Sequence, residues 1–157
     1  LLDVAKDCVE RQKLNAQRSF ISLTYLGESA RVLGNRDQLD ELCQNLCDNA
    51  IRYNRPGGKV QLITSCTRDG HCTLTVKDNG IGIPKDAQSS VFERFYRVDK
   101  SRSKATGGTG LGLAIVKHVL IHLNATMHIE SRLGEGSTFT VEIPASLNAS
   151  VQNGPQA

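Results

Sequence analysis

Two asparagines in the stretch QNLCDNAIRY have a spacing that could do chemistry. Asn45 and Asn49 are four residues apart, and Arg52 follows three residues later. At about 100° per residue, the three side chains fall along one flank of a helix, beside its apolar stripe. Amides in such a place are costly unless they bind something. A neutral amide oxygen suits a hard cation such as Mg²⁺, which bridges to phosphate, although both amides could instead cap neighbouring backbone groups.

A second polar group lies at the end of a β-rich run. Asp78 follows the run TLTVK and precedes Gly80, Gly82 and Pro84 in the stretch DNGIGIP. A carboxylate at a strand end, followed by two glycines, lets a flat ligand lie against the backbone while the carboxylate accepts a hydrogen bond from it. An adenine amino group fits this description. The alternative interpretation is a simple turn.

The third candidate is the glycine-rich stretch GGTGLG, which opens an apolar, helix-like run. Its spacing matches neither the GxGxxG of a dinucleotide-binding turn nor a P-loop that ends in GK[ST]. Several bare N–H groups at a helix N-terminus nevertheless form an anion site. We therefore interpret the stretch as a phosphate-binding loop and not as a flexible linker. Its glycines are Gly107, Gly108, Gly110 and Gly112.

A basic segment lies between the two glycine-rich sites. On a mobile segment that runs into a phosphate loop, such charges are typical of a lid that closes over a triphosphate. Nucleic acid is the competing partner, but the net charge is only +3, and aromatic residues make up 4% of the chain with no Trp. A stacking platform for single strands needs several exposed rings. The basic residues are Arg94, Arg97, Lys100, Arg102 and Lys104.

The composition is that of one ordinary globular domain. The chain has 157 residues, of which 39% are apolar and 22% charged, and no window approaches the ~18 apolar residues of a membrane span. Five cysteines form an odd set without a CxxC pair, which favours free buried thiols in a reducing cytosol over a zinc site. We expect a single domain over 1–144, followed by a disordered tail over 145–157.

The periodicity of apolar residues predicts the elements that position these groups. Helical spacing covers three long stretches, and β-rich runs cover much of the remainder. Helices mixed with hairpin strands indicate a two-layer α/β sandwich, with the helices on one face of a mostly antiparallel sheet. The expected helices are 1–18, 36–54, 109–123 and a short one at 89–98, and the expected strands are 20–26, 30–34 and the hairpins within 59–80 and 125–144.

Five motifs, taken in order, resemble the catalytic ATP-binding domain of bacterial sensor histidine kinases. NLCDNAIRY is similar to the N box of that family, DNGIGIP to its first glycine box, and VFERFYRVD to its F box. GGTGLGLAIVKH is similar to the second glycine box, and GEGSTFTVEIP to the closing glycine segment. The likeness spans nearly the whole chain, and around the F box and the second glycine box it is similar to kinases of the phosphate-sensing, PhoR-like type.

The resemblance implies a Bergerat-type (GHKL) α/β fold: a mixed five-stranded sheet, three helices on one face, and ATP held under a flexible lid, with Mg²⁺ as the metal cofactor. It implies that Asn49 binds Mg²⁺, that Asn45 and Arg52 lie at the phosphates, and that Arg97 contacts the γ-phosphate. Asp78 is expected to accept the adenine amino group. The other residues expected at the nucleotide are Tyr53, Gly80, Gly82, Ile83, Lys100, Gly108, Gly110, Leu111, Gly112 and Thr138.

The resemblance also bears on the reaction. Related ATPases of the superfamily carry a glutamate one turn before the metal-binding asparagine, as the base for water. Here that position is Asn45, and the neighbouring Asp48 is about 100° away from Asn49 around the helix. We therefore expect phosphoryl transfer to an external acceptor and not efficient hydrolysis, with Asn45, Arg52 and Arg97 as the catalytic residues.

The phosphoacceptor histidine of the family has no counterpart among the histidines of this sequence. In the family it lies on a separate helical hairpin, in an HE.RTPL-like stretch. We interpret the histidines here as ordinary surface or core residues, although two of them have the i, i+4 spacing of metal ligands without an HExxH pattern. The histidines are His71, His118, His122 and His128.

The expected partners follow from the resemblance. They are the phosphoacceptor hairpin domain of the same parent protein and, downstream, a response-regulator receiver domain. We expect neither nucleic acid binding nor direct membrane contact. By family analogy the domain is cytoplasmic, and its parent is anchored in the bacterial inner membrane.

Two other functions remain open on the sequence alone. The chain could be a nucleotide-responsive binding module that holds a partner without catalysis, although every expected ligand position is filled. It could also be a protein-serine kinase of the same superfamily that acts on a protein partner. The long F-box-like segment and the basic segment argue against that second alternative.

Overall fold

The computed structural model describes residues 1–98 and 109–144, which form two layers. Within these ranges, three α-helices lie on one face of a five-stranded sheet. The helices are α1 (Leu2–Arg18), α2 (Arg36–Arg52) and α3 (Gly112–His122), and a 3₁₀ turn covers Lys85–Ala87. The strands are β1 (Ser22–Gly27), β2 (Lys59–Cys66), β3 (His71–Asp78), β4 (Thr126–Arg132) and β5 (Gly136–Pro144).

The sheet has the strand order β1-β2-β3-β5-β4 and is mixed. β1 runs parallel to β2, and the other three pairings are antiparallel. The chain passes through α3 to β4 at the edge and returns as β5 beside β3. This return sets Asp78 opposite Ser137, so the end of β3 meets the start of β5.

Side-chain alternation on the three central strands builds the core. Every second residue of these strands is buried under the helices, while its neighbours are partly or fully exposed. This period of two is what a sheet with one covered face requires. The buried residues of this alternation are Val60, Leu62 and Thr64 on β2, Cys72, Leu74 and Val76 on β3, and Ser137, Phe139, Val141 and Ile143 on β5.

Helix α2 is the central helix of the covering layer. It begins after Asn35, whose side chain accepts a hydrogen bond from the Asp37 N–H (2.8 Å) and caps the helix. An ion pair between Arg11 and Asp40 (3.1 Å) joins α1 to it. Because the Arg11 side chain is half exposed, that pair contributes at most about 1 kcal/mol, and apolar burial holds the helices together.

Helix α3 packs on the other side of α2 and runs antiparallel to it. Gly34, just before α2, lies so close to the end of α3 that a Cβ would be 2.7 Å from Leu123 Cδ2. At the opposite end, Gly112 begins α3 and faces Asn45. The C-terminal half of α2 therefore meets the N-terminus of α3.

The two-layer sandwich with a mixed five-stranded sheet is confirmed, but two expected elements are wrong. The stretch 89–98 forms turns and not a helix, since Phe95 has a left-handed backbone conformation (φ 61°) that an α-helix does not contain. The expected strand at 30–34 is reduced to a single bridge at Val32. Beside it, the Leu33 N–H donates to the Pro144 carbonyl (3.3 Å).

Some expectations fall on residues outside the described ranges. Lys100, Arg102, Lys104, Gly107 and Gly108 belong to 99–108, and the expected tail is 145–157. The lid and the tail therefore stay predictions. In the part of the chain that the structure describes, no helix has the length and apolarity needed to cross a bilayer.

The cysteines divide into two groups, which corrects the expectation that all five are free. Cys66 and Cys72 form a disulfide, with Cα atoms 4.2 Å apart, because the β2–β3 register sets them directly opposite each other. The spacing of the two residues in the sequence does not reveal this pairing, since it arises from the hairpin. Cys8, Cys43 and Cys47 are free and buried, as expected.

Reduction of the disulfide should lower the unfolding temperature of the domain. The bond joins residues six positions apart, and closing such a loop in the unfolded state stabilises the fold by about 2 kcal/mol. Thermal unfolding followed by circular dichroism, with and without a reductant, measures the effect. The double variant Cys66→Ser/Cys72→Ser should give one unfolding temperature in both conditions, and an equal reductant effect in that variant would contradict the prediction.

Candidate functional site

A cavity of about 520 Å³ opens between α2, the N-terminus of α3 and the loops that follow β3. Ser137 and Phe139 of β5 contribute to its wall. The volume lies within the range of small-molecule sites. Many of the residues expected from the sequence line this one cavity: Asn45, Asn49, Arg52, Tyr53, Asp78, Gly82, Ile83, Arg97, Gly110 and Gly112.

The amide flank of α2 forms one polar wall. The Asn45 Nδ2 donates to the Glu41 carbonyl one turn back (2.8 Å), and Asn45 Oδ1 lies 3.3 Å from where a Cβ of Gly112 would stand. Asn49 lies one turn further on, half buried, and its side chain has no hydrogen-bond partner among the described residues. Backbone capping thus accounts for one amide nitrogen, and the Asn49 amide is left to take a ligand.

Arg52 is held at the rim of this wall by Asp48. Its Nη2 lies 2.7 Å from Asp48 Oδ2, and the two side chains are 25% and 38% exposed. The sequence suggested that Asp48 points away from the site, because it lies about 100° from Asn49 around the helix. In the structure Asp48 nevertheless lines the cavity. A partly exposed i, i+4 pair contributes at most about 1 kcal/mol, so its main effect is to orient the guanidinium.

The N-terminus of α3 presents backbone N–H groups to the cavity. The Ile115 N–H donates to the Leu111 carbonyl (2.9 Å), so the N–H groups of Gly112, Leu113 and Ala114 precede the first bond of the helix. No side chain of the described residues caps this end. Gly112 and Leu113 line the cavity. Uncapped N–H groups and the positive end of a helix dipole together attract an anion.

Gly110 lies close to a cationic side chain, that of Arg97, at the same end of the cavity. It has a positive φ of 73°, and a Cβ there would lie 2.9 Å from Phe95 Cα, so only glycine fits without a shift. The Phe95 N–H donates to the Gly110 carbonyl (3.0 Å). Arg97 Nε stands 3.5 Å from the same Cβ position, and the guanidinium therefore lies beside the start of α3.

Asp78 marks the opposite end of the cavity. Its Oδ1 accepts hydrogen bonds from the Gly80 N–H (2.8 Å) and the Ser137 N–H (3.3 Å). Its Oδ2 accepts none from the described residues, which leaves that oxygen for a ligand. Burial raises the pKa of the Asp78 carboxyl to about 6, against the lowering effect of the two N–H groups. At neutral pH the side chain is therefore mainly an ionised acceptor.

The two glycines after Asp78 allow this loop to lie very close to two other segments. A Cβ on Gly80 would lie 2.4 Å from the Tyr53 carbonyl, and one on Gly82, which has a φ of 71°, would lie 2.0 Å from the Arg132 carbonyl. The Ile81 N–H donates to the Tyr53 carbonyl (3.0 Å). Gly80 does not itself line the cavity. Its lack of a side chain lets the loop lie close to Tyr53, and this position of the loop shapes the cavity wall.

Arg55 ties these segments together, and the sequence analysis missed it. Its Nη2 donates to the Gly134 carbonyl (2.9 Å) and, at 3.4 Å, to the Gly80 carbonyl. The Gly134 N–H in turn donates to the Ile81 carbonyl (2.7 Å). The segment after α2, the loop after β3 and the β4–β5 turn are therefore one connected unit around the cavity.

The structure places Ser137, and not the expected Thr138, in the wall of the cavity. Ser137 is buried and lines the cavity, and its hydroxyl lies 2.7 Å from Ser131 Oγ, which also accepts from the Ile83 N–H (2.8 Å). Thr138 lines only a second, more open groove. Because side chains alternate across a strand, Ser137 and not Thr138 stands beside Asp78.

The structure places Leu111 outside the lining of the cavity. It precedes α3, and its N–H donates to Thr109 Oγ1 (3.3 Å). Most lining residues that the sequence analysis missed are apolar, because periodicity does not separate a residue of the core from one that faces a cavity. The apolar ones are Ile81, Val91, Tyr96, Val98, Leu113, Ile115, Leu133 and Phe139, and the polar ones are Asp48, Thr109 and Ser137.

The site suits a metal ion only together with an anionic ligand. Within 1–98 and 109–144, no three side chains of His, Cys, Asp or Glu form a group that could hold a metal. Mg²⁺ usually keeps several waters and binds through one or two protein oxygens plus phosphate. The unpartnered Asn49 amide beside an anion-binding helix terminus fits that chemistry.

Comparison with known proteins identifies relatives of the chain. The family model described as "Histidine kinase-, DNA gyrase B-, and HSP90-like ATPase" matches residues 34–147. The sensor-like histidine kinase SenX3 of Mycolicibacterium smegmatis is 49% identical over 142 residues, which is 90% of this chain and 37% of that protein. The phosphate regulon sensor protein PhoR of Pseudomonas aeruginosa is 38% identical over 148 residues, 94% of this chain and 33% of that protein. The chain thus spans about a third of the length of these relatives.

A solved structure extends the likeness to the fold. The mycobacterial sensor histidine kinase MprB matches with a TM-score of 0.77 and 29% identity, over 91% of this chain and 93% of that one. The family model covers the segments that build the cavity, from the start of α2 to the end of β5. The chain therefore belongs to the histidine kinase-, DNA gyrase B- and HSP90-like ATPase family, and its relatives there are sensor histidine kinases.

Proposed function

We propose that this chain binds ATP with Mg²⁺ and transfers the γ-phosphoryl group to a histidine on a separate dimerisation and phosphoacceptor domain of its parent sensor kinase. The observation that carries the proposal is the convergence of three features on one cavity. These are the amide flank of α2, the uncapped N-terminus of α3, and the carboxylate of Asp78 at the other end. They suit a ligand with an anionic chain at one end and an amino-bearing ring at the other.

The residues at the anionic end have distinct roles in this proposal. Asn49 would hold Mg²⁺, which would neutralise charge on the β- and γ-phosphates. Asn45 lies beside the phosphates, and Arg52 and Arg97 stabilise the charge that develops during transfer. Lys100 and Gly108, from the segment 99–108, would add further phosphate contacts, and Gly110, Leu111 and Gly112 would offer backbone groups.

The transfer needs little acid–base catalysis by the side chains of the cavity. The bond between the γ-phosphorus and the bridging oxygen breaks while the neutral imidazole nitrogen of the acceptor bonds to the phosphorus, and ADP leaves. The imidazole attacks with its lone pair, so no side chain of the cavity has to remove a proton first. Positioning and charge stabilisation supply most of the catalysis in such reactions.

The carboxylates of the site argue for transfer over hydrolysis. Among the described residues that line the cavity, only Asp48 and Asp78 carry carboxylates. Asp48 is bound to Arg52 (2.7 Å), and Asp78 lies at the end opposite the helix terminus. Neither is placed as a ready base for a water at the γ-phosphate.

The proposal extends to the parent protein. The relatives are named as sensor kinases, which supports a parent that senses a signal and passes the phosphoryl group on to a response-regulator receiver domain. In that setting the domain would work on the cytoplasmic side of a parent anchored in the bacterial inner membrane.

Transfer to histidine can be tested directly. The chain is incubated with γ-labelled ATP, Mg²⁺ and a separately produced phosphoacceptor hairpin of a sensor histidine kinase, and the label on the hairpin is examined for acid stability. We expect an acid-labile, base-stable label that disappears when the acceptor histidine is replaced. An acid-stable label would favour the serine kinase, and ATP binding without any transfer would favour the binding module.

Asn49→Ala should abolish most Mg²⁺-dependent transfer. We expect loss of this metal ligand to remove about 3 kcal/mol of charge stabilisation in the transition state, which corresponds to about a hundredfold lower rate. The transfer rate at saturating ATP, measured over a range of Mg²⁺ concentrations, gives the effect. Gln17→Ala, which removes an exposed amide on α1, is the matched control and should keep the full rate. If Asn49→Ala also keeps it, the metal assignment is wrong.

Asp78→Asn should weaken ATP binding and favour GTP. The amide oxygen would keep the two backbone N–H bonds of Oδ1, so the amide nitrogen would replace Oδ2 and face the adenine amino group as a second donor. A lost hydrogen bond to a charged group corresponds to about tenfold to a hundredfold weaker binding. The same nitrogen can donate to the O6 acceptor of guanine. Calorimetric titration with both nucleotides measures the preference.

The pH dependence of ATP binding serves as the control for the Asp78→Asn prediction. Because the pKa of Asp78 is raised to about 6, protonation removes the acceptor as the pH falls below that value, and ATP affinity of the unmodified chain should fall with it. The Asn variant does not titrate there and should show a smaller change. An unaltered preference for ATP in Asp78→Asn would reject the role of this carboxylate.

A further inference from the structure

We propose that His118 and His122 form a binding site for a divalent transition-metal ion on the solvent side of α3, strongest for Cu²⁺ and able to take Ni²⁺ or Zn²⁺. Both side chains are exposed and lie one turn apart near the end of the helix. Their ring centroids are 4.4 Å apart, with the ring planes tilted by 56°. Two histidines at i and i+4 on one helix face are the pair that helical zinc motifs use.

A hydrogen bond prepares one ring for metal binding. His122 Nδ1 lies 2.9 Å from the His118 carbonyl oxygen. A carbonyl only accepts hydrogen bonds, so Nδ1 carries the proton, and in the neutral ring Nε2 has the free lone pair. A bond from the second ring nitrogen to a backbone carbonyl is the usual companion of a metal-ligating histidine, because it fixes both tautomer and ring orientation.

The spacing of the two rings suits a shared ion. Nitrogens that each lie about 2.0–2.1 Å from one metal are roughly 3 Å apart in tetrahedral or cis geometry. Rings with centroids 4.4 Å apart reach that separation by rotation of the His118 side chain alone, which leaves the hydrogen bond of His122 intact. His122 is also in the last turn of α3, where the negative end of the helix dipole favours a cation.

The donors select the class of metal. Imidazole suits Cu²⁺, Ni²⁺ and Zn²⁺, with Cu²⁺ bound most strongly, whereas Mg²⁺ prefers oxygen. This site is therefore chemically separate from the one proposed for Mg²⁺ and does not depend on the proposed function. Since no third ligating side chain joins the pair within the described ranges, water completes the coordination, and binding is weaker than at a closed structural site.

Other groups of the chain could compete for the same metals. His71 lies 2.8 Å from Glu142, and His128 lies 3.5 Å from Glu130, each as an exposed pair of one imidazole and one carboxylate. The three free thiols are buried and need an opening of the α1–α2 interface to react. The test must therefore separate the helical pair from these groups.

Titration of the chain with Cu²⁺, Ni²⁺ and Zn²⁺ alone, without nucleotide or Mg²⁺, tests the proposal. We expect one equivalent of metal, with the affinity lowered about tenfold or more in both His118→Gln and His122→Gln. His71→Gln, His128→Gln and Lys117→Ala, which removes an exposed cation from the adjacent position of the same helix, should keep the affinity. The paramagnetic resonance spectrum of the Cu²⁺ complex should show two nitrogen ligands.

Three outcomes would overturn the assignment. These are unchanged affinity in both glutamine variants, a spectrum with fewer than two nitrogen ligands, or loss of binding only when another histidine or the buried thiols are replaced. Circular dichroism and ATP binding of each variant show that it is folded. Bound metal should raise the unfolding temperature of the unmodified chain and leave that of the double variant His118→Gln/His122→Gln unchanged.

Discussion

The meeting of α2 with the N-terminus of α3 is the constraint on which the site depends. Asn45 Oδ1 lies against Gly112, which has no Cβ, and at the other end of the helix pair Gly34 lies against Leu123. Two glycines thus set how closely these antiparallel helices approach. The approach puts amide groups and uncapped N–H groups on the same cavity, and together they make an electrostatic environment for an anion with its metal.

The two ends of the cavity are built in opposite ways. Around Asp78, nearly every group has a partner: two backbone N–H groups bind its Oδ1, and Arg55 joins the surrounding loops through carbonyls. At the helix terminus, the Asn49 amide and the first N–H groups of α3 have no partner among the described residues. The end at Asp78 is therefore preorganised before any ligand arrives, whereas the end at the helix terminus keeps its bonding capacity for a ligand. Such preorganisation lowers the entropic cost of binding at the Asp78 end.

The proposed function assigns the nucleotide to this domain and the acceptor histidine to another segment of the parent protein. SenX3 is matched over only 37% of its length, and this portion contains the cavity with its charged and amide groups. A loose transition state needs positioning and charge rather than a resident base, so a small domain can supply the nucleotide chemistry while another segment supplies the acceptor.

Much of this architecture follows from local patterns in the sequence. The flank of Asn45, Asn49 and Arg52 depends only on the helical period, and Asp78 at a strand end depends only on the strand preceding it. The order and the type of the motifs together then indicated the family and the two-layer α/β sandwich. These inferences succeed because each concerns neighbours along the chain, whose relative directions are determined by one regular backbone conformation.

Contacts between distant segments were decided by the tertiary structure alone. The β3–β5 register placed Ser137 rather than Thr138 beside Asp78, since a shift of one residue reverses the face of a side chain. A hairpin register paired Cys66 with Cys72, and the approach of three loops gave Arg55 its carbonyl partners. By itself the sequence determined which groups each element carries. Only packing determined which groups meet, because register and helix approach are set by the whole core and not by any local period.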